Sequence, residues 1–130
     1  RYAANLDGWR LDHNNPLRSP MDHGITVAIS SDILPTGPMV GLYAAVTRKG
    51  MSGVVYGPDE AITIEEAIRG YTLTGAYLNF EEDLKGSLEA GKFADMIVLS
   101  ADILTIEPER IMDIEIEQTY VDGKLVFEKE

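Results

Sequence analysis

Residues 25–31 (ITVAISS) form a β-branched, apolar run that carries no charge until Asp32. Such a run suits a strand buried on both faces, as in a parallel sheet, where neither face meets water and polar alternation disappears. A strand of that kind cannot stand alone. It needs partners on both edges and cover on both faces.

The flanking sequence supplies helices. Residues 16–24 (PLRSPMDHG) read as a short helical stretch or turn, ended by Gly24 as a C-cap. After a Pro/Gly loop, a helix is predicted from Pro38 through Met39, Leu42, Tyr43 and Val46, with Arg48 and Lys49 in its last turn and Gly50 beyond. Residues 50–62 read as a loop. Residues 63–66 (TIEE) are a capping-box pattern, in which the Thr63 hydroxyl accepts from the amide three residues on and Glu66 reaches back. The helix it opens carries Ala67, Ile68, Tyr71 and Leu78 at near-helical spacing and extends to about Asn79. Gly70 and Gly75 weaken it by about 1 kcal/mol each relative to alanine; they read as sites of close packing, not as breaks.

After Glu81 the period changes. Residues 86–92 are strand and turn chemistry, 94–100 a short strand and 108–111 one helical turn. Ile114, Ile116, Gln118 and Tyr120 alternate with Glu115, Glu117, Thr119 and Val121, which predicts a half-buried strand. Asp122-Gly123 is a strong hairpin signal, with 124–128 as the returning strand. Charge shifts at the same place: residues 81–130 hold 14 acidic and 5 basic residues against 8 and 6 in residues 1–80, so −9 of the net −11 lies in the last 50. Neither part is expected to close a core by itself. With Arg1 as its first residue, the chain is expected to be a piece of a longer polypeptide.

The net charge of −11 argues against a nucleic-acid backbone or an anionic membrane surface as partner. No apolar run approaches the roughly 20 residues of a membrane span, so a soluble protein is expected. The absence of cysteine excludes disulfides and thiolate metal sites.

Among residues able to carry chemistry, Asp32 stands first. It follows the one buried-type strand, at the end where parallel α/β folds gather reacting groups. A carboxylate there can bind a hard metal or shuttle a proton; it can also merely cap the following loop through backbone amides. His13 and His23 lack metal-ligand spacing, and His23 sits where an imidazole meets a helix C-terminus. Glu107, Glu109, Asp113, Glu115 and Glu117 lack calcium-loop spacing and read as solvated surface. The glycines of 86–91 match no phosphate loop.

Residues 86–100 (GSLEAGKFADMIVLS) resemble the GxLxxGKxADxxVL signature of the amidohydrolase superfamily. Residues 29–35 (ISSDILP) look like the Ser-Asp end of its eighth barrel strand. Residues 43–48 (YAAVTR) and 64–72 (IEEAIRGYT) look like the helices that follow, and 119–124 (TYVDGK) like the closing hairpin. Within the superfamily the resemblance is to the amidohydrolase-3 group of YtcJ-like metal-dependent hydrolases.

That resemblance implies an α/β fold: the C-terminal part of a (β/α)8 TIM-type barrel followed by part of a small β-sandwich domain. Residues 1–80 would hold the last barrel strand and following helices, and 81–130 the C-terminal strands of the composite sandwich. It implies a metal-dependent hydrolase of a non-peptide C–N bond, N-acyl or N-formyl amide in type, with a superfamily deaminase or a non-catalytic β-rich module as alternatives. It places on Asp32 both the metal-ligand role and the catalytic one, taking a proton from the attacking water and passing it to the leaving nitrogen. The cofactor implied is a divalent metal of the zinc type, the partner a small-molecule amide, the location cytoplasmic. A barrel needs about 200 residues or more, and the family's histidine ligands have no counterpart here, since His13 and His23 stand too close before Asp32. The isolated chain is therefore expected to be inactive, and either to self-associate through residues 25–31 and the apolar faces of both helices (Met39, Leu42, Tyr43, Val46; Ala67, Ile68, Tyr71) or to stay partly molten.

Overall fold

A computed structural model describes residues 4–31 and 37–130. Among them are helices α1 (Gly8–Asp12), α2 (Arg18–Asp22), α3 (Pro38–Thr47), α4 (Ile64–Tyr71) and α5 (Leu73–Leu78), and strands β1 (Met96–Leu99), β2 (Ile116–Val121) and β3 (Lys124–Glu128). Two 3₁₀ turns, Pro58–Glu60 and Pro108–Asp113, punctuate the connections.

Pro38 opens α3 as its first residue, but the helix ends earlier than expected. Arg48, not Gly50, takes the left-handed conformation at the C-cap, with φ 55°. Its guanidinium holds it there by donating to the carbonyls of Tyr56 (3.1 Å), Asn15 (3.0 Å) and Asn14 (2.9 Å). The capping box at Thr63 forms as the sequence predicts: Glu66 N donates to Thr63 Oγ1 (3.2 Å) and Thr63 N to Glu66 Oε2 (2.8 Å). The long helix predicted over 63–79 is instead two helices. The break falls at Thr72 (φ −116°, ψ −90°), whose hydroxyl donates back to the Ile68 carbonyl at 2.8 Å. A threonine back-bonded to the carbonyl one turn earlier bends a helix.

Leu42 and Ala45 of α3, Ile62, Ala67 of α4 and Ile111 of the second 3₁₀ turn form the buried core. Met39, Tyr43, Val46, Ile68 and Tyr71 pack against it, so the helix faces expected to lack partners cover one another. Ile111, from beyond residue 81, completes that cover. A Cβ on Gly41 would fall 1.8 Å from the Tyr71 hydroxyl, which makes this glycine the point where α3 and α4 approach.

Residues 25–31 do not form the predicted strand. They carry neither helix nor ladder, and Ile25 is 60% exposed. The Ile25 amide donates to the Pro20 carbonyl (3.0 Å) and the Ile29 amide to that of Gly70 (3.1 Å). The physical reason is that a strand exists only as a paired object, and the described residues offer this run no neighbouring strand.

The β structure expected after residue 87 is a three-stranded antiparallel sheet, ordered β1-β2-β3. Val121 pairs with Lys124 across a tight hairpin in which Asp122 (φ 51°) and Gly123 (φ 73°) are both left-handed. Two positive φ values in a two-residue loop are the type I′ pattern that Asp-Gly favours.

Candidate functional site

Asp32 lies outside the described residues. What is described is the frame that leads to it. The N-terminus of α2 has no local cap, because Leu17 occupies the N-cap position. Glu60, 3% exposed, supplies the missing acceptor from the first 3₁₀ turn. Its Oε2 accepts from the amides of Leu17 (3.0 Å) and Ser19 (2.9 Å), and its Oε1 from the Ser19 hydroxyl. Burial pushes this carboxyl up. The Ser19 hydroxyl, the two amides and the nearby positive charge of Arg48 outweigh that and hold it below its ordinary value.

The next residue on α2 is tied to the same stretch of chain. Arg18 forms a forked pair with Glu66, through Nη1 to Oε1 at 2.9 Å and through Nη2 to Oε2. The Arg18 hydrogen bond leads in holding Glu66 below its ordinary value, and the Thr63 amide adds to it. Further on, Ile29 sits against Gly70, where an added Cβ would fall 2.9 Å from Ile29 Cδ1 and Cγ1. An open groove of about 600 Å³ runs beside this segment, lined in part by Met21, Ile25, Val27, Arg69, Tyr77 and Glu82.

The sequence leaves Glu60 in a loop. One carboxylate in a Pro-led turn reads as solvated, and only its fold partner 41 residues away shows otherwise. Arg48 was legible as a helix-end cation, but not as the clamp on residues 14, 15 and 56 that it is.

The histidines take local roles. His13 Nδ1 lies 2.9 Å from the Trp9 carbonyl and its ring stacks on Trp9 at 4.5 Å. His23 Nδ1 lies 2.8 Å from the Ser19 carbonyl at the end of α2, the helix-terminal use its position predicts. Glu109 pairs with Lys49 at 2.7 Å, Asp113 with Arg110 at 3.4 Å and Glu115 with Lys129, all on the surface. Among the described residues no group of three or more His, Cys, Asp or Glu stands together to hold a metal ion. The described residues do not by themselves make a metal centre.

The segment that carries the family signature is structural. Gly86 (φ 92°) lies against α5, where a Cβ would fall 2.8 Å from Ala76 Cβ and 2.9 Å from Leu73 Cα. Lys92 Nζ donates to Ser87 Oγ at 2.7 Å, closing the turn. Asp95 Oδ1 accepts from the Asp122 amide at 2.8 Å and Ala94 O from the Gly123 amide at 3.1 Å, so the motif grips the hairpin tip.

Among the described residues no helix is long and apolar enough to cross a membrane. Comparison with known proteins places the chain. It is 38% identical to N-substituted formamide deformylase of Arthrobacter pascens over 129 residues, covering 93% of this chain and 24% of that protein. It is 36% identical to the putative amidohydrolase YtcJ of Bacillus subtilis over 111 residues, covering 82% of this chain and 21% of that protein. The chain thus spans less than a quarter of either relative. The crystal structure of an amidohydrolase from Thermotoga maritima shares its fold with TM-score 0.61 at 23% identity, over 84% of this chain and 24% of that one. The amidohydrolase family profile matches residues 4–127, and the chain belongs to that family.

Proposed function

We propose that this chain is the C-terminal portion of a metal-dependent amidohydrolase that cleaves a non-peptide C–N bond of the N-formyl or N-acyl amide type, and that Asp32 is its contribution to the reacting centre. The observation that carries this reading is the family match over residues 4–127, within which Asp32 falls at the Ser-Asp motif. The likeness to a formamide deformylase supports the N-formyl amide as the first substrate class to try.

Hydrolysis adds water to the amide carbon, breaks the C–N bond and leaves a proton on the departing nitrogen. A carboxylate beside the reacting carbon takes the proton from water and returns it to nitrogen, work worth about 10²–10⁴ in rate. A bound divalent metal, of the zinc type, would supply a water of lowered pKa. In this reading residues 25–31 are the last strand of a (β/α)8 barrel whose neighbouring strand lies in polypeptide beyond this chain. That accounts for a strand-like sequence with no ladder. Residues 81–130 would add their three strands to a composite β-sandwich.

The test uses the full polypeptide that carries this chain, with N-substituted formamides and N-acyl amides as substrates. The expected result is amide hydrolysis that Asp32→Asn lowers about 10²–10⁴-fold in kcat. An enzyme that is inert on these amides yet releases ammonia from an aminopurine would replace the reading with a deaminase. Full activity in Asp32→Asn would remove Asp32 from the chemistry.

A further inference from the structure

The sequence contains two Asp-Gly steps, Asp7-Gly8 and Asp122-Gly123. Aspartate before glycine is the peptide step most open to isomerisation, because glycine has no side chain to keep its nitrogen from the preceding carboxyl carbon. The fold treats the two steps in opposite ways.

Asp122-Gly123 is locked. Both residues are left-handed in the hairpin turn, with φ 51° and 73°. The Gly123 amide donates to the Ala94 carbonyl (3.1 Å) and the Asp122 amide to Asp95 Oδ1 (2.8 Å). Ring closure there means breaking the first of these bonds and turning a loop that β2 and β3 hold at both ends. Asp7-Gly8 carries none of these restraints. The Asp7 side chain is 74% exposed and makes no capping bond to α1. It pairs with the exposed Arg10 at 3.1 Å, an interaction worth little in water. Gly8 opens α1, where a helix leaves its first amides without partners, and its N–H has no acceptor among the described residues. Gly8 is exposed, and a Cβ on it would meet nothing within 4 Å. Helix α1 is a short turn with no buried residue, of the kind that opens at small cost.

We infer that Asp7 is a site of spontaneous isoaspartate formation and that Asp122 is protected from it. The Gly8 nitrogen attacks Asp7 Cγ and forms the N–Cγ bond. One water leaves, made of the carboxyl OH and the amide proton. The five-membered imide then takes up water. Opening at the former side-chain carbonyl restores aspartate. Opening at the former main-chain carbonyl breaks the original peptide C–N bond and leaves the chain running through Cγ. No atom is gained or lost overall, and nothing is oxidised or reduced. The Asp7 carbonyl that accepts the Leu11 amide at 2.8 Å becomes a carboxylate beside the chain, and the backbone entering α1 is one methylene longer. The product is an exposed isoaspartyl carboxylate, the substrate class of isoaspartyl carboxyl methyltransferases.

The experiment holds the full polypeptide that carries this chain at neutral pH and physiological temperature over several weeks, folded and, in parallel, unfolded in guanidinium chloride. Peptide mapping with electron-transfer fragmentation separates the two isomers, which have equal mass. In the folded protein, isoaspartate is expected at residue 7 at least about tenfold faster than at residue 122, the factor that about 1.4 kcal/mol of opening cost supplies. In the unfolded protein the two rates should converge. Asp7→Glu, which would need a six-membered ring, and Gly8→Ala, for whose Cβ there is room, should each suppress the product at residue 7 and leave residue 122 unchanged. Formation at residue 122 as fast as at residue 7 in the folded protein overturns the inference. So does a residue 7 that stays unmodified in the folded protein; reaction there only after unfolding would mean that another part of the polypeptide covers the step.

Discussion

Replacing Ile111 by alanine removes Cγ1, Cγ2 and Cδ1 from a side chain that is 1% exposed and the largest of the fully buried ones. At about 0.8 kcal/mol per buried carbon the lost transfer energy is about 2.4 kcal/mol. An unrelaxed cavity of roughly 75 Å³ at about 24 cal/mol per Å³ adds up to about 2 kcal/mol. Ile103, Ile106 and Met39 pack against the core cluster that holds Ile111 and are only partly buried, so inward movement of such side chains reduces the second contribution. The expected loss is therefore about 3–4 kcal/mol, or a fall in Tm of about 10–15 °C for a chain of this size. Thermal melts by far-UV circular dichroism and urea titrations measure it. Met112→Ala, one residue along the same turn but 53% exposed, should stay within about 0.5 kcal/mol of wild type. An Ile111→Ala loss under about 1 kcal/mol, or one equal to that of Met112→Ala, would show that the 108–113 turn does not close the core over α3.

Other outcomes follow from single contacts. Thr63→Ala removes one half of the capping box and should cost about 1 kcal/mol in the same melts, with faster amide exchange in the first turn of α4. Gly57 has φ 56°, and a Cβ there would lie 1.9 Å from the Asp12 carbonyl oxygen. Gly57→Ala should therefore cost well over the about 1 kcal/mol of left-handed strain, and Gly53→Ala, with φ 77° and open space around it, should show that strain alone. Glu60 and Glu66 both sit below their ordinary carboxylate values in the folded chain. The unfolded chain therefore binds their protons first, so their stabilisation is complete above the ordinary carboxylate range and is lost as pH falls through the lower folded values. A urea midpoint followed from about pH 7 to about pH 3 should decline on the acid side. The decline should be shallower in Glu60→Gln, and an identical slope would refute the assignment.

What the sequence made legible was local. The capping box at Thr63 and the Asp122-Gly123 turn involve residues within three positions of one another, and both form as their chemistry requires. The helix opened by Pro38 was legible for the same reason, while its end was not: Arg48 takes a left-handed conformation because distant carbonyls of Asn14 and Asn15 hold its guanidinium. The break at Thr72 depends on a hydroxyl choosing a carbonyl one turn back, which spacing does not reveal. Residues 25–31 mark the opposite limit. Their composition is that of a strand, but pairing is a property of neighbours, and no neighbour stands among the described residues. Glu60 was invisible because burial of a loop carboxylate is decided by tertiary contact.

The same division separates what places the chain in its family from what would act on a substrate. Gly86 is required by the approach to Ala76 and Leu73, Lys92 closes its turn on Ser87, and Asp95 anchors the hairpin tip through the Asp122 amide. Each of these signature residues has a structural role, in packing, in a side-chain bond or in a bond to the backbone. A match carried by such residues reports shared architecture, since a glycine at a close approach or an acceptor at a turn is needed wherever the same chain path is followed. Reaction type has to be argued from the site instead. Under the proposed function, the reacting group of this chain is Asp32. The hydrogen bonds from residues 17–19 and 29 to Glu60, Glu66 and Gly70 involve none of these signature residues. Alanine at Gly86 or Asp95 should therefore lower the folded fraction, read as a fall in Tm.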